Sequence, residues 1–346
     1  MNAIDLFAGA GGFSTGATMA GCHVLWAANH WPTAVEWHTA NHPGTEHACQ
    51  DLQQADFREA PAHDLLLASP ACQGHSPARG KDQPHHDAQR ATAWAVVTCA
   101  EVHRPAVVLV ENVPEFATRW VLYPAWCAAM HALGYALAPM VIDAADHGVP
   151  QHRRRLFVVA TRSRNPIALQ LPQRPHRPAA DVIDWAAGRW AQVAKPGRSQ
   201  RTLDRIAAGR RQHGPRFVAP YYGSGSGETG RSLQRPLGTI TTRDRWAVVD
   251  GDRMRMLTAD ECRAAMGFPP TYRLPTQHHQ AVHLLGNAVV PVVATRLGPL
   301  PLKVLANTMR GTVQLCVSTG DPLQPAGSLV ITERVCVLFT QVLQVL

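Results

Sequence analysis

Ala3-Ile4-Asp5-Leu6-Phe7-Ala8-Gly9-Ala10-Gly11-Gly12, followed by Phe13 to Ala20, is the stretch on which the fold turns. Residues 3–7 predict a short buried strand. Residues 8–12 are a tight glycine turn, and Phe13 to Ala20 predicts a helix that ends at Gly21. Such a strand, turn and helix is a nucleoside-cofactor signature: glycines let the backbone approach a ligand, and the helix N-terminus offers free N–H groups. Alone it fits a dehydrogenase equally well, and a tight turn without function is a further reading.

Working outward, strands are predicted at His23–Ala28, Asp64–Ala68, Val107–Val110, Tyr135–Ile142 and Leu156–Ala160. Helices are predicted at Pro32–Asn41, over residues 91–103 before Pro105, and around Tyr123–Leu133. Strands alternating with helices imply an α/β fold with a doubly wound, mostly parallel, Rossmann-like sheet. After Thr161 the texture changes. Residues 162–216 hold twelve Arg or Lys against three Asp, a surplus larger than the +8 of the whole chain. Two helical stretches, Asp181–Trp190 and Thr202–Arg211, and a flexible Gly223–Gly230 loop are expected there.

Composition narrows the class. The 346 residues are 46% hydrophobic and 17% charged, which suits a folded chain with a sizeable core and argues against disorder. All basic residues except Lys81, Lys195 and Lys303 are arginines. A basic balance suits a polyanionic partner, although an Arg-rich codon bias would give the same count. Eight cysteines without a C-x-x-C pair read as reduced thiols of a cytosolic protein. The N-terminus lacks a signal-peptide pattern, and no uncharged apolar run reaches the ~18 residues of a membrane span. The adjacent pairs His85-His86 and His278-His279 are not spaced like metal ligands, so no metal is expected.

The remaining motifs are weak one at a time. Cys72, in Ser69-Pro70-Ala71-Cys72-Gln73-Gly74-His75-Ser76, follows a strand at the edge where ligands bind in parallel sheets. A lone cysteine is more often a small core residue. Glu111-Asn112-Val113-Pro114 also stands beyond a strand, but reads equally as a helix cap. Gln151-His152-Arg153-Arg154-Arg155 alone is a solvated charge run.

Taken in order, these blocks resemble the C5 cytosine-specific DNA methyltransferase family. The resemblance adds Arg235-Pro236-Leu237-Gly238-Thr239-Ile240-Thr241-Thr242, Leu257-Thr258-x-x-Glu261, Met266-Gly267-Phe268-Pro269 and Gly286-Asn287-Ala288-Val289-Val290-Pro291, and covers residues 3 to about 297. It implies the S-adenosylmethionine-dependent methyltransferase fold with a smaller target-recognition domain. The corresponding boundaries are a catalytic domain over 1–162 completed by 281–298, a DNA-recognition domain over 163–280, and a tail over 299–346 with no counterpart.

The resemblance also implies roles. Cys72 would attack C6 of a flipped cytosine, Glu111 would bond N3, and Arg153 and Arg155 would stand near O2 and the nucleophile. S-adenosyl-L-methionine would contact Asp5, Phe7, Gly9, Gly11, Gly12, His30, Trp31, Asp51, Asn287 and Ala288. Gln73, Ser76, Asn112, Gln151 and Thr241 would face the substrate, and the loop from about Gly74 to His86 would close over the base. Two departures stand out. His30 occupies the place of an acid that bonds both ribose hydroxyls, with Glu36 one turn on as a substitute. Pro70 lies one residue further from Cys72 than the family's proline does.

Double-stranded DNA is the partner this reading expects, with salt-sensitive phosphate contacts from residues 163–245. The reading also expects a monomer in the bacterial cytosol, associated with the nucleoid, with a restriction endonuclease as a compatible partner. The apolar end of the tail, Leu329–Leu346, suits an added strand, pairing with another chain, or a non-native terminus. Two alternatives stay open at this point: a cytosine methyltransferase acting on RNA, and a silent DNA-binding protein. Cys72, Glu111 and Arg155 together weigh against the silent protein.

Overall fold

The apolar runs build a seven-stranded sheet in the order β3-β2-β1-β4-β5-β7-β6. Its strands are β1 (Asn2–Leu6), β2 (His23–Asn29), β3 (Glu46–Cys49), β4 (Leu65–Ala68), β5 (Val107–Asn112), β6 (Ala136–Asp143) and β7 (Arg154–Thr161). In this computed structural model, residues 1–71, 91–167, 169, 171–221 and 229–297 are described. Cys72, Gln73 and Ser76, the loop around them, Gly223 to Glu228 and the tail lie outside the described residues. Contacts divide the chain into Met1–Leu305, which holds every described residue, and Ala306–Leu346.

Strands β1 to β5 pair in parallel. The central β4 and β5 are buried along their whole length, as strands covered on both faces must be. Their side chains alternate between two cores. Leu65, Leu67, Val107 and Leu109 face one core with Phe13, while Leu66, Ala68, Val108 and Val110 face the other with Trp126 and Met130. Each large side chain fully buried in this way contributes about 1.5–3 kcal/mol.

The helices are α1 (Gly12–Met19), α2 (Pro32–Asn41), α3 (Trp94–His103), α4 (Glu115–Arg119), α5 (Tyr123–Ala132), α6 (Gln200–His213), α7 (Ala259–Ala265), α8 (His278–Asn287) and α9 (Pro291–Leu297). The last of these packs on α1. A Cβ on Gly16 would lie 2.4 Å from Ala294, so the two backbones approach where no side chain fits. The last helix thereby returns to the glycine-turn region of the large sheet.

The sheet is mostly parallel as expected; two details of it were not foreseen, and one expected helix is corrected. Strand β7 runs antiparallel to both β5 and β6, because β6 and β7 are joined by a loop with one 3-10 turn and no crossover helix. Strand β3 was not foreseen: Glu46-His47-Ala48-Cys49 has no apolar run, as befits a half-exposed edge. Asp181–Trp190 is not a helix. Only Ala179–Val182 forms a 3-10 turn, and the backbone of Asp184 is held by Glu261 (2.8 Å) and Arg255 (2.7 Å) instead of by helical partners.

The basic segment and the residues C-terminal to it form a second, antiparallel sheet in the order β8-β11-β10-β9. Its strands are β8 (Ala191–Gln192), β9 (Arg216–Pro220), β10 (Trp246–Asp250) and β11 (Arg253–Met256). Helix α6 covers it through Ile206, with Phe217, Ala219, Ala247, Val249 and Met254 beneath.

Candidate active site

The glycine turn lies at the C-terminal edge of β1. Its backbone is forced: Phe7 has φ 61°, Gly9 54° and Gly11 77°. For phenylalanine that conformation is costly, and it survives where the surroundings over-determine it. Beneath the turn, Asp5 is wholly buried, and its Oδ2 accepts from the Ser14 N–H (3.1 Å) and hydroxyl (2.7 Å). The carboxylate thus caps α1. Burial pushes it up to about 7, against the lowering effect of the Ser14 bonds. Its Oδ1 is buried without a hydrogen-bond partner.

Above the turn is a pocket of about 200 Å³. Phe7, Gly9, His30, Trp31 and Asn287 line it, together with Asn29, Ser69, Pro70, Ala71, His283, Leu284 and Glu111. The Trp31 and His283 rings meet edge to face at 5.0 Å and form one wall. The other expected cofactor contacts lie elsewhere. A Cβ on Gly11 would strike Tyr272 and two histidines, and one on Gly12 the backbone of Val289, so these glycines serve packing against α2 and the chain after α8. Ala288 is buried and gives its carbonyl to Arg153. Asp51 is exposed, and its side chain accepts from the Gln53 N–H. Glu36 stands in a separate hollow with Trp37 and Arg273.

Glu111, next to last in β5, is buried, with its Oε1 3.2 Å from Nε of Arg155 on β7. Burial raises its pKa; Arg155, then Arg153, pull the other way without cancelling that effect. Arg155 also lines a far larger cleft, of about 1290 Å³, between the two sheets. Arg154, Arg231, Arg235, His152, His213 and Thr241 line it too. The acids there are Glu115 and Asp143, and Asp143 is paired with His152 at 2.9 Å. A carboxyl group that reaches the small pocket is therefore linked to a guanidinium that reaches a basic cleft.

Three of the expected site residues make internal hydrogen bonds. Arg153 donates to the carbonyls of Ile240 (3.0 Å), Gly286 (2.9 Å) and Ala288 (2.8 Å), which ties β7 to the small-sheet side and to the end of α8. Gln151 is fully buried, bonded to Ala265, Met266 and Ile240. Asn112 donates to the Pro70 carbonyl (3.1 Å) and so holds the chain just after β4.

A family model described as C-5 cytosine-specific DNA methylase matches residues 1–299. The chain belongs to the C-5 cytosine-specific DNA methylase family. It is a DNA (cytosine-5)-methyltransferase. It is 29% identical to the Type II methyltransferase M.HgiDI of Herpetosiphon aurantiacus over 84% of this chain and 90% of that one. With the Type II methyltransferase M.MspI of Moraxella sp it shares 26%, over 85% and 68%. The fold is similar to that of a DNA modification methyltransferase encoded within an E. coli prophage, with a TM-score of 0.64 at 19% identity, covering 90% of this chain and 99% of that one. It is also similar to the Entamoeba histolytica methyltransferase EhMeth, with a TM-score of 0.62 at 16% identity over 88% and 98%.

For a methyltransferase of this family, the pocket residues missed in the sequence were partly within reach. His283 and Leu284 lie one helical turn before Asn287 and share its face. Asn29 carried no such signal; its Oδ1 accepts from the Trp31 N–H (2.9 Å) and shapes the loop after β2.

Proposed function

We propose that this chain transfers a methyl group from S-adenosylmethionine to C5 of a flipped-out cytosine in double-stranded DNA, through a covalent Cys72 adduct at C6. The observation that carries this reading is Glu111: a buried carboxyl, held toward its protonated form, reaching the pocket beside the glycine turn while paired with a cleft arginine. The pocket suits the cofactor. Glycine at position 9, the Trp31 and His283 rings and the Asn287 amide offer close backbone, apolar walls and a polar end. When bound, S-adenosylmethionine supplies the electrophilic methyl group.

The protein's own part derives from its residue types. The Cys72 thiolate adds to C6, the ring double bond shifts to C4–C5, and an electron pair reaches N3. Glu111 delivers a proton there, so no net negative charge builds on the ring. C5 then takes the methyl group. Loss of the C5 proton to solvent water, return of the N3 proton to Glu111 and departure of the thiolate restore the aromatic ring. Arg155 orients the Glu111 carboxyl, while Arg153, Gln151 and Asn112 hold the frame. Flipping the base out of its stack costs a few kcal/mol, and the basic cleft supplies phosphate contacts to offset it.

On this reading residues 1–162 with 281–298 are the catalytic domain, and 163–280 present the DNA-recognition surface. The Type II names of the relatives support a place beside a restriction endonuclease. No helix among the described residues is long and apolar enough to cross a membrane. The test is bisulfite sequencing of DNA from a host without cytosine methylation, expressing the intact chain or Cys72→Ala. Protected cytosines with the intact chain alone support the reading. Protection by both rejects the nucleophile, and protection by neither rejects the activity on DNA.

A further inference from the structure

Leu171-Pro172-Gln173-Arg174-Pro175-His176-Arg177-Pro178 carries proline at every third position. Proline fixes its own φ, and Leu171, Arg174 and Arg177, each just before a proline, are pushed out of the helical region. The pattern selects polyproline II, with three residues per turn, so Arg174 and Arg177 share one edge about 9 Å apart. Residues 171–178 form neither helix nor strand, Pro178 has φ −72° and ψ 153°, and Pro172 to Arg177 are all exposed. The segment is tied down along its length. Arg296 donates to the Pro172 carbonyl (2.7 Å), the Arg174 N–H to the Asp146 carbonyl (2.8 Å) and the Ala179 N–H to the Arg235 carbonyl (2.9 Å).

The segment is continuous with the cleft. The His176 ring meets that of His152, a cleft residue, at 5.3 Å, and Arg235, to which the segment leads, lines the cleft as well. Two acids stand beside it: Asp146 pairs with His176 (2.8 Å) and Asp181 with Arg177 (3.0 Å). Both pairs are open to water, where such a pair holds its members weakly. Arg174 makes no ion pair among the described residues. Arg296 adds a third guanidinium; burial, then the charge of Arg174, lowers its pKa.

We propose that residues 172–178 are a second DNA-binding surface, outside the cleft, that takes the phosphate backbone of the duplex flanking the target through Arg174 and Arg177. Phosphate contact needs positive charge in a set place and no base edge. A backbone fixed by its prolines has little freedom left to lose on binding. The inference rests on the reading of the cleft as the DNA site.

The test compares binding of the full-length chain to two duplexes with the same target cytosine at the centre, one of about one helical turn and one of about three. Affinity is measured across a range of salt concentrations. Binding of the short duplex tests the cleft reading by itself. The intact chain is expected to show the steeper salt dependence on the long duplex. Arg174→Gln with Arg177→Gln should lower the slope of log K against log salt on the long duplex by about 2, with no change on the short one. Arg174→Lys with Arg177→Lys keeps the charge and should restore the slope. Pro175→Gly keeps both arginines but frees the backbone, and should weaken binding to the long duplex alone. An equal loss on both duplexes, or a loss that lysine does not restore, would overturn the assignment. Equal slopes of the intact chain on the two duplexes would overturn it too, and would leave the segment to a partner protein with a groove for extended prolines. Length-dependent binding without any methylation would reject the proposed activity and uphold the flanking site.

Discussion

Glu111 Oε1 and Arg155 Nε stand 3.2 Å apart on adjacent antiparallel strands, and the carboxyl is nevertheless held above its ordinary pKa. Desolvation at the end of a fully buried strand outweighs the nearby positive charge. The proposed proton donor is therefore set by burial and moderated by Arg155.

That balance predicts a pH signature. Methyl transfer should fall on the alkaline side as Glu111 loses its proton. Arg155→Ala removes a charge that favours the carboxylate, so the alkaline limb should move to higher pH even as the maximal rate drops. Glu111→Gln keeps the size but has no acidic proton to give, and should lower the single-turnover rate by roughly 10²–10⁴ with DNA binding largely retained. Single-turnover profiles of the three proteins against pH check this. A limb that stays in place in Arg155→Ala would mean that another group titrates.

Cys72→Ser should abolish methylation and leave DNA binding largely intact, since a hydroxyl is a far weaker nucleophile at neutral pH than a thiolate. Gel-shift titration beside a methyl-incorporation assay separates the two effects. Substantial residual turnover would reject Cys72 as the nucleophile.

Which parts could be read from the chain depends on how each residue acts. Strands β4 and β5 were legible because both faces are apolar, and Glu111 because it follows the apolar run of such a strand. Arg153, Gln151 and Asn112 were found as motif letters, but not their internal partners. A side chain's partners across 87 or 133 residues leave no local trace, and Arg153 bonds at both separations. The edge strand β3 and the irregular run around Asp184 escaped for a related reason: pairing and a buried Arg255–Glu261 ion pair decide them, not their own periodicity.

Arg153 leads to a stability prediction. Arg153→Met removes three charge-assisted donors and leaves the carbonyls of Ile240, Gly286 and Ala288 to find other partners in the interior. The expected loss is about 3–5 kcal/mol, read as a shift of the denaturant midpoint. A loss below ~1 kcal/mol would show that the junction does not depend on this side chain.

His30 lines the pocket beside Trp31 and Asn29. A neutral imidazole accepts through one ring nitrogen only, where a carboxylate accepts through two oxygens. His30→Glu should therefore tighten S-adenosylmethionine binding, read by calorimetry on the DNA-free protein. Weaker binding would reject a ribose contact at this position.

The glycine turn rests on a buried histidine cluster, and its protonation should govern acid stability. His38 Nδ1 and His47 Nε2 are 2.7 Å apart, His38 Nε2 is 3.1 Å from Ser14 Oγ, and His42 Nε2 is 3.2 Å from Thr15 Oγ1. Burial, reinforced by the charge of His47, lowers His42 to about 4; burial also lowers His38 and His47. These groups fold neutral, whereas in the unfolded chain they titrate near ~6.5. The unfolded state therefore binds more protons between about pH 6.5 and 4. Stability from this source is complete above about 6.5 and is lost as the pH falls toward 4. Asp5, pushed up to about 7, works in the opposite sense, because its folded form holds a proton that the unfolded chain releases above pH ~4. Comparing the intact chain with His42→Gln cancels the Asp5 contribution. The difference in unfolding midpoint between them should shrink, or reverse in favour of the variant, on going from about pH 7 to about pH 4.5. A difference independent of pH would place the charged form of His42 in the folded protein.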